Sequence, residues 1–442
     1  MAREFKDSGI EWIGQIPKEW KVSKLKYLTT ILQSGGTPTS SNASLYCEDG
    51  TSWVAIGDMR HCGEISYTQK HLTDEGLKEK SLIVFPVGTL LYSIYASVGK
   101  VSILGIPAAI NQAILAISLN EKAKQEYVKF VLTSMENYVF SLANGNTQFN
   151  LNAGIVSNFV LPLPSLLSQQ KIADYLDKVC GEVDEMVALQ DTMLEELKAY
   201  KQSVITEAVT KGLDSNAPMR DSGIDWIGEI PEHWKIVPIK HIKSKEPNAF
   251  VDGPFGSNLK SEHFIENGDV LVVESGFITT GKFIFKEFKT ISKEHFETIK
   301  RSQCKAKDII IAKIGANYGM AGELPDLDKP SVVSGNSLKI TLDNSKMLNT
   351  IFVNAMICAK NNCGFIGMVQ ENAQPALSLS GLNNFKLPVA PIEEQQSIAS
   401  YLDTKCAEID AIIALKQSKI EELKEYKKSV IYEYVTGKKE VV

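Results

Sequence analysis

The chain has 442 residues, too many for one ordinary hydrophobic core and enough for two or three domains of about 100 to 200 residues each. A composition of 44% hydrophobic and 23% charged residues excludes a fibre or a disordered chain. The net charge of −6 argues against nucleic acid until it is divided along the chain: residues 21–160 carry 11 basic and 10 acidic side chains (+1), and residues 235–386 carry 19 and 15 (+4). Those two stretches are the net positive ones, so a basic footprint could sit there while the acidic remainder faces other proteins, although charge alone favours ordinary solvated surface for sums this small. Seven cysteines without a C-x-x-C pair, behind the charged opening MAREFKD, point to a reducing cytoplasm and no secretion signal.

In chain order, the first element is a marker, DSGIEWIGQIPKEW at 7–20, which returns as DSGIDWIGEIPEHW at 221–234 with ten of fourteen positions identical. A stretch of mixed strands and Gly-rich turns follows, with TSWVAIGDM, SLIVFP, GTLLYSIYASVG and AINQAILAISL as its strand segments. The uncharged runs 81–99 and 101–120 are rich in β-branched residues and broken by proline and glycine, so they read as buried strands and not as membrane spans. Next, residues 169–210 carry a coiled-coil seam, with Ile172, Leu176, Val179, Val183, Met186, Gln190, Met193, Leu197, Tyr200 and Val204 in steps of four and three. After the second marker the strand segments are DVLVVES, GKFIF, DIIIAKIG and SVVSGNSLKITL, and residues 395–436 repeat the helix.

The second seam keeps Ile398, Leu402, Ile409, Ile412, Leu423, Tyr426 and Val430, with Lys405, Lys416 and Lys419 at matching positions and Ile413 and Ile420 off register. Pro164 and Pro391 precede these helices, and Gly212 and Gly437 fall where they should stop. The marker offset is 214 and the helix offset 226, so the second copy holds 226 − 214 = 12 extra residues between its markers. The chain is two tandem copies of one unit in which the framework is duplicated and the content is not. A helix of about 45 residues spans roughly 68 Å, and two of them pairing antiparallel would relate the halves by a pseudo two-fold. The expected organisation is a first recognition domain at 1–160, a long helix at 161–213, a linker and second recognition domain at 214–386 and a second long helix at 387–442.

Catalytic motifs are missing. The three Gly-Lys pairs are not followed by Ser or Thr, no histidine pair has metal-ligand spacing, and there is no G-x-S-x-G and no Pro-Pro dipeptide. Against that background the duplicated DSGIxWIGxIPxxW marker, the L-P-x-x-x-x-x-x-Q-Q-x-I-A-x-Y-L-D opening of each helix, and GGTPTSS with WVAIGDM and GPFGSNLKS closely resemble the specificity (S) subunits of Type I restriction-modification enzymes. Gln-Gln at 169/170 and 395/396 stands where Glu-Gln is common in that family, with Glu394 preceding the pair in the second copy only.

The resemblance implies an α+β chain of two mixed α/β target-recognition domains with two long antiparallel conserved helices. It implies a DNA-binding, non-catalytic subunit that reads a bipartite asymmetric target in double-stranded DNA, one half-site per domain, away from any membrane. It also implies docking to two methyltransferase subunits and to motor-nuclease subunits. Those partners, and not this chain, would use S-adenosylmethionine, ATP and magnesium. The competing reading is a coiled-coil scaffold without DNA specificity, which leaves two dissimilar bodies on duplicated supports unexplained.

Arg and Lys suit guanine, Asn and Gln suit adenine, and phosphates accept almost any donor. Candidate donors in the first body are therefore Thr37, Ser40, Ser41, Asn42, Arg60, His61, Asn111, Gln112 and Gln148. In the second they are Ser257, Asn258, Lys260, Lys282, Arg301, Lys313, Asn317, Tyr318 and Gln374.

Overall fold

The computed structural model describes residues 3–59, 63–95, 97–141, 151–254, 256–279, 281–368 and 375–441. The chain gathers into two units, one of Met1–Asp191 with Gln417–Val442 and the other of Thr192–Lys416. Each unit thus contains one marker, one α/β body, the first half of one long helix and the second half of the other. The same parts occur in both, in permuted chain order.

In the first unit the marker forms a hairpin, Phe5–Asp7 with Gln15–Pro17, and strand Lys21–Lys24 pairs antiparallel with Val160–Leu163 to close the body. Between them lie two sheets. The larger runs Thr29–Ser34, Ile114–Leu119, Leu90–Ser93, Val101–Leu104 and Gly63–Ile65; the smaller runs Ala109–Ile110, Thr51–Val54, Lys70–Leu72 and Tyr46–Cys47. Both uncharged runs supply strands here, Leu90–Ser93 from the first and Val101–Leu104, Ala109–Ile110 and Ile114–Leu119 from the second, with Leu90, Leu91, Tyr92, Val101, Ile114 and Leu115 fully buried, whereas 81–89 is turn and loop with Ile83, Val84 and Val87 exposed. A strand covered on both faces is apolar throughout, which is why these runs imitate membrane spans. Among the described residues no helix is long and apolar enough to cross a membrane.

The second body repeats the plan. One sheet runs Phe250–Asp252, Ser337–Ile340, Ile309–Ala312 and Ala321–Glu323, and the other Lys289–Ile291, Val270–Val273, Ser331–Val333 and Gln303–Cys304. Thr51–Val54 pairs parallel with Ala109–Ile110 and antiparallel with Lys70–Leu72; Val270–Val273 does the same with Ser331–Val333 and Lys289–Ile291. Single hydrogen bonds correspond as well. Asn111 N–H donates to Val54 O at 3.0 Å where Ser334 N–H donates to Val273 O at 2.9 Å, and Thr73 caps Asp74–Glu79 where Ser292 caps Lys293–Thr298. The bodies share a backbone framework that their side chains conceal.

The long helices run Leu166–Lys211 and Ile392–Val435, and each is followed by a glycine in the left-handed region, Gly212 at φ +78 and Gly437 at φ +74. Within the first unit Asp184 meets Lys427 at 2.6 Å and Tyr175 lies 4.4 Å from Tyr434. Within the second, Lys201 meets Asp410 at 2.5 Å and Met193 Sδ lies 3.5 Å from Lys416 Nζ. In both, one number rises as the other falls, so the pairing is antiparallel.

The seam differs from the expected one. Leu176, Val183, Gln190, Leu197 and Val204 hold their places, but the alternate positions are Cys180, Val187, Leu194 and Lys201, while Met186 and Tyr200 are exposed. The second helix follows the same shifted line, through Leu402, Cys406, Ile409, Ile413, Lys416, Ile420, Leu423 and Lys427, leaving Ile412 and Tyr426 outside. The shift brings Ile413 and Ile420 into register, and Lys405 and Lys419 turn instead to Glu408 and Glu422 one turn along.

The first glutamine of each Gln-Gln pair is a buried clamp. Gln169 accepts from Lys124 N–H at 2.7 Å and donates to Lys122 O and Pro164 O. Gln395 accepts from Leu348 N–H at 2.9 Å and donates to Lys346 O and Ala390 O. Each ties the start of its long helix to the turn that opens the body's own helix, Gln125–Ser134 or Asn349–Asn361.

Candidate nucleic-acid interface

In the sheet around Thr51–Val54 of the first body and the sheet around Val270–Val273 of the second, two parallel strands finish at the same end, and the antiparallel third strand begins there. Three connections meet that end in the first body: the glycine-rich 35–41, the turn 111–113, and the one that leaves Val54 through Ile56–Asp58 and returns from Gly63–Ile65 to Lys70. Close approach builds the first. A Cβ on Gly35 would lie 1.7 Å from Ile110 O, so only glycine lets this backbone cross the strand end. Beyond it, Gly36 O accepts from Trp53 Nε1 at 3.1 Å and Pro38 O accepts from Tyr46 Oη at 2.8 Å. Thr39 donates to the Glu79 carboxylate through N–H at 2.9 Å and Oγ1 at 2.6 Å, and these bonds hold the Glu79 carboxyl below its ordinary range.

On this fixed loop Thr37 donates to Oε1 of the exposed Gln112, which joins two of the expected DNA-reading residues. Ser40 and Ser41 are exposed beside them. Asn42 and Asn111 have local work. Asn42 caps Ala43–Leu45 and accepts from Ser44 N–H and Oγ, and Asn111 Oδ1 accepts from Ala113 N–H at 2.6 Å, fixing the turn. Arg60, His61 and Gln148 lie outside the described residues.

The second body builds the same end with different chemistry. Gly253 is the counterpart of Gly35, its Cβ position only 1.9 Å from Ser334 O. Asp252, just before it, receives Arg301 Nη2 at 3.1 Å and has Lys313 Nζ at 3.5 Å, so one carboxylate gathers two of the expected cations. Lys313 also donates its backbone N–H to Asn336 O, beside the turn equivalent to 111–113. Ser257 and Asn258 are exposed, with Asn258 O within 2.9 Å of His295 Nε2; Lys260 sits 3.7 Å from Glu262. Asn317 is exposed, and the Tyr318 ring carries Lys360 Nζ at 4.1 Å. Burial pulls the Lys360 ammonium pKa down, while the ammonium donates to Ala316 O and Tyr318 O. Lys282 stands apart from this group, 3.6 Å from Asp410 on the second long helix. Gln374 lies outside the described residues.

The sequence reading missed Asp252, which organises Arg301 and Lys313, and it missed two exposed aromatics, one in each body just before the antiparallel strand of the sheet: Tyr67 ahead of Lys70–Leu72 and Phe285 ahead of Lys289–Ile291. Alternation of basic and aromatic residues in GKFIFKEFK at 281–289 is the signal that could have found the latter. Chemically the two ends offer amide, hydroxyl and cationic donors, the groups that read base edges and phosphates. Among the described residues no cluster of His, Cys, Asp and Glu could hold a metal ion.

The model of the Type I restriction modification DNA specificity domain matches residues 17–199 and 255–425, one match in each copy. The chain is 23% identical over 367 residues to the Type I restriction enzyme MjaVIII specificity subunit of Methanocaldococcus jannaschii, covering 82% of this chain and 81% of that one. It is likewise 23% identical over 445 residues to the same organism's putative type I restriction enzyme MjaX specificity subunit, covering 96% and 95%. A chain solved in work on complex assembly and conformational transition of the type I R-M system superposes with a TM-score of 0.70 at 15% identity, covering 95% of this chain and 98% of that one, a likeness of fold. With both copies matched by that model, and with DNA-recognition domains of one framework in each, the chain belongs to the Type I restriction modification DNA specificity family and is a specificity subunit.

Proposed function

We propose that the chain reads a bipartite, asymmetric target in double-stranded DNA, one half-site per recognition body. The observation that carries this reading is the pair of sheet ends: one framework twice, presenting Thr37 with Gln112 in one body and Arg301 with Lys313 around Asp252 in the other. Equivalent backbones bring equivalent loops to the duplex, and unlike donors select unlike bases. In this reading the remaining candidates on those loops, among them Ser40, Ser41, Ser257, Asn258 and Asn317, contact bases or phosphates, while Asn42 and Asn111 shape the loops.

The chain is non-catalytic in this assignment. The long helices dock two methyltransferase subunits and the motor-nuclease subunits, which use S-adenosylmethionine, ATP and magnesium, and the complex works on chromosomal DNA in the cytoplasm. The test exchanges residues 21–160 for the first body of another family member and maps methylated bases in host DNA. One half-site should change and the other persist; a change in both would refute the modular reading.

A further inference from the structure

We infer that Phe285 is a wedge that enters the DNA base stack at the second half-site, unstacking one base step and holding a base against its ring. The inference rests on the DNA-reading assignment above and adds a residue, a contact and a deformation to it.

Phe285 sits on loop 274–288, which leaves the end of Val270–Val273 and returns at Lys289–Ile291, the same sheet end that presents Arg301, Lys313 and the 334–336 turn. The ring is 67% exposed, with Ile284 beside it at 38%. An exposed aromatic usually costs a protein solubility and belongs on a mobile surface, but this one is held rigidly from below. Phe277, itself buried, stacks on Phe283 at 5.3 Å and on Phe288 at 4.6 Å. Phe285 stands edge-on to Phe283 at 5.3 Å and 73°. Ile284 N–H donates to Phe277 O at 2.7 Å and Lys286 Nζ donates to Gly276 O at 2.8 Å. Three aromatic rings and two hydrogen bonds therefore support a fourth ring that packs outward, so little conformational freedom remains to be lost on binding.

The surroundings suit a polyanion. Lys286 and Lys289 flank the ring within four residues, against Glu287 on the loop and Glu274 at its base, where Lys289 pairs with Glu274 at 2.8 Å, while Lys282 turns away to Asp410. Apolar side chains carried between cations are the means by which proteins open base steps while phosphates are held.

The first body gives an independent instance. Its equivalent loop lies between Thr51–Val54 and Lys70–Leu72, and it presents Tyr67 at 61% exposure. Counting back from the paired residues Lys70 and Lys289, Tyr67 falls one position from Phe285. Two bodies with almost unrelated sequences thus keep a large exposed ring at one place in the framework, where core packing does not ask for it.

The experiment uses the full chain assembled with its methyltransferase subunits and a duplex carrying the mapped target, with 2-aminopurine placed step by step through the second half-site. Wild-type complex should raise the fluorescence at one step. Phe285→Ala should abolish that rise and weaken binding by roughly tenfold, the size of one base–aromatic stack, whereas Phe285→Trp should preserve both. A probe in the first half-site should respond equally in all three. Exposure of the ring makes misfolding of the variants unexpected, and an unchanged melting curve checks it. Unchanged affinity and fluorescence in Phe285→Ala would overturn the proposal, as would a wild-type complex that binds without any fluorescence rise. Loss of assembly with the methyltransferase subunits would overturn it too, by placing Phe285 in a protein contact. A wild-type complex that fails to prefer its target over a scrambled duplex would instead refute the DNA-reading assignment itself.

Discussion

Replacing Gln395 by glutamate changes one atom group and inverts its hydrogen bonding. The side chain is fully buried; its oxygen accepts from Leu348 N–H at 2.9 Å, and its nitrogen donates to Lys346 O at 2.9 Å and Ala390 O at 2.8 Å. A carboxylate keeps the first bond and sets negative oxygen against two carbonyl oxygens, so the folded state must protonate it. Holding a glutamate of ordinary pKa about 4.3 neutral at pH 7 costs roughly 4 kcal/mol, at about 1.4 kcal/mol per pH unit. The acid then donates to one carbonyl only, and the orphan adds about 1–3 kcal/mol. The folded-state pKa is raised, so the protonation cost disappears below about pH 4 and grows as pH rises toward that raised value. Denaturant unfolding of Gln395→Glu at pH 7 and pH 5 should therefore show a loss that shrinks by roughly 2–3 kcal/mol at the lower pH, with Gln395→Ala destabilised equally at both. Wild-type stability of Gln395→Glu at pH 7, or a loss that ignores pH, would refute the clamp.

The other predictions concern the helices and the loop glycines. A double-mutant cycle on Lys201 and Asp410 should give a coupling of about 0.5–1 kcal/mol, since both ends are partly solvated. Burial raises the Asp410 carboxyl pKa, but the Lys201 hydrogen bond and charge outweigh it and leave the pKa lowered; its stabilising contribution is thus present above the ordinary aspartate range and lost as acid titration passes below it, a window in which thermal melts of Asp410→Asn should stay flat relative to wild type. Gly35→Ala forces a methyl into Ile110 O and should cost about 1–3 kcal/mol by thermal melting while lowering affinity for the first half-site only. One heptad added to each long helix adds roughly 10.5 Å; at 3.4 Å per base pair the methylated target should gain about three base pairs of spacer with its half-sites intact, and an unchanged spacer in an active complex would show that the helices do not set it.

The duplicated marker and helix were legible because they depend on residues with few substitutes: Trp20 and Trp234 stay buried, and Gly212 and Gly437 adopt a conformation that other residues resist. The seam was legible only to within one residue. Two seven-residue lines share Leu176, Val183, Gln190, Leu197 and Val204, and the sequence places apolar residues on both sides of them, so periodicity alone cannot choose. The buried line is the one that includes Lys201 and Lys427, whose charges look wrong for a seam until Asp410 and Asp184 are seen to meet them. At the candidate interface Thr37 and Gln112 were legible as donors, but Asn42 and Asn111 were not separable from them, because an amide that suits adenine also suits a cap or a turn. The common framework of the bodies stayed hidden because ladder pairing constrains backbone, and only positions such as Gly35 and Gly253, where backbones nearly touch, oblige the sequence to repeat itself.

The permuted make-up of the units explains why the helices stayed alike while the bodies diverged. Each long helix contributes its first half to one unit and its second half to the other, so its apolar line must satisfy two sets of neighbours along its length. Asp184 with Lys427 and Asp410 with Lys201 are the same ion pair written twice, and each pair draws one partner from each copy. A drift in either helix is therefore felt against the other, which ties their sequences together. A loop at a sheet end answers only to its own body and to what that body binds, so the chain beyond Gly35 and beyond Gly253 is free to carry unlike donors from like strand ends. Selection for new DNA targets can act on those loops one body at a time without disturbing the supports.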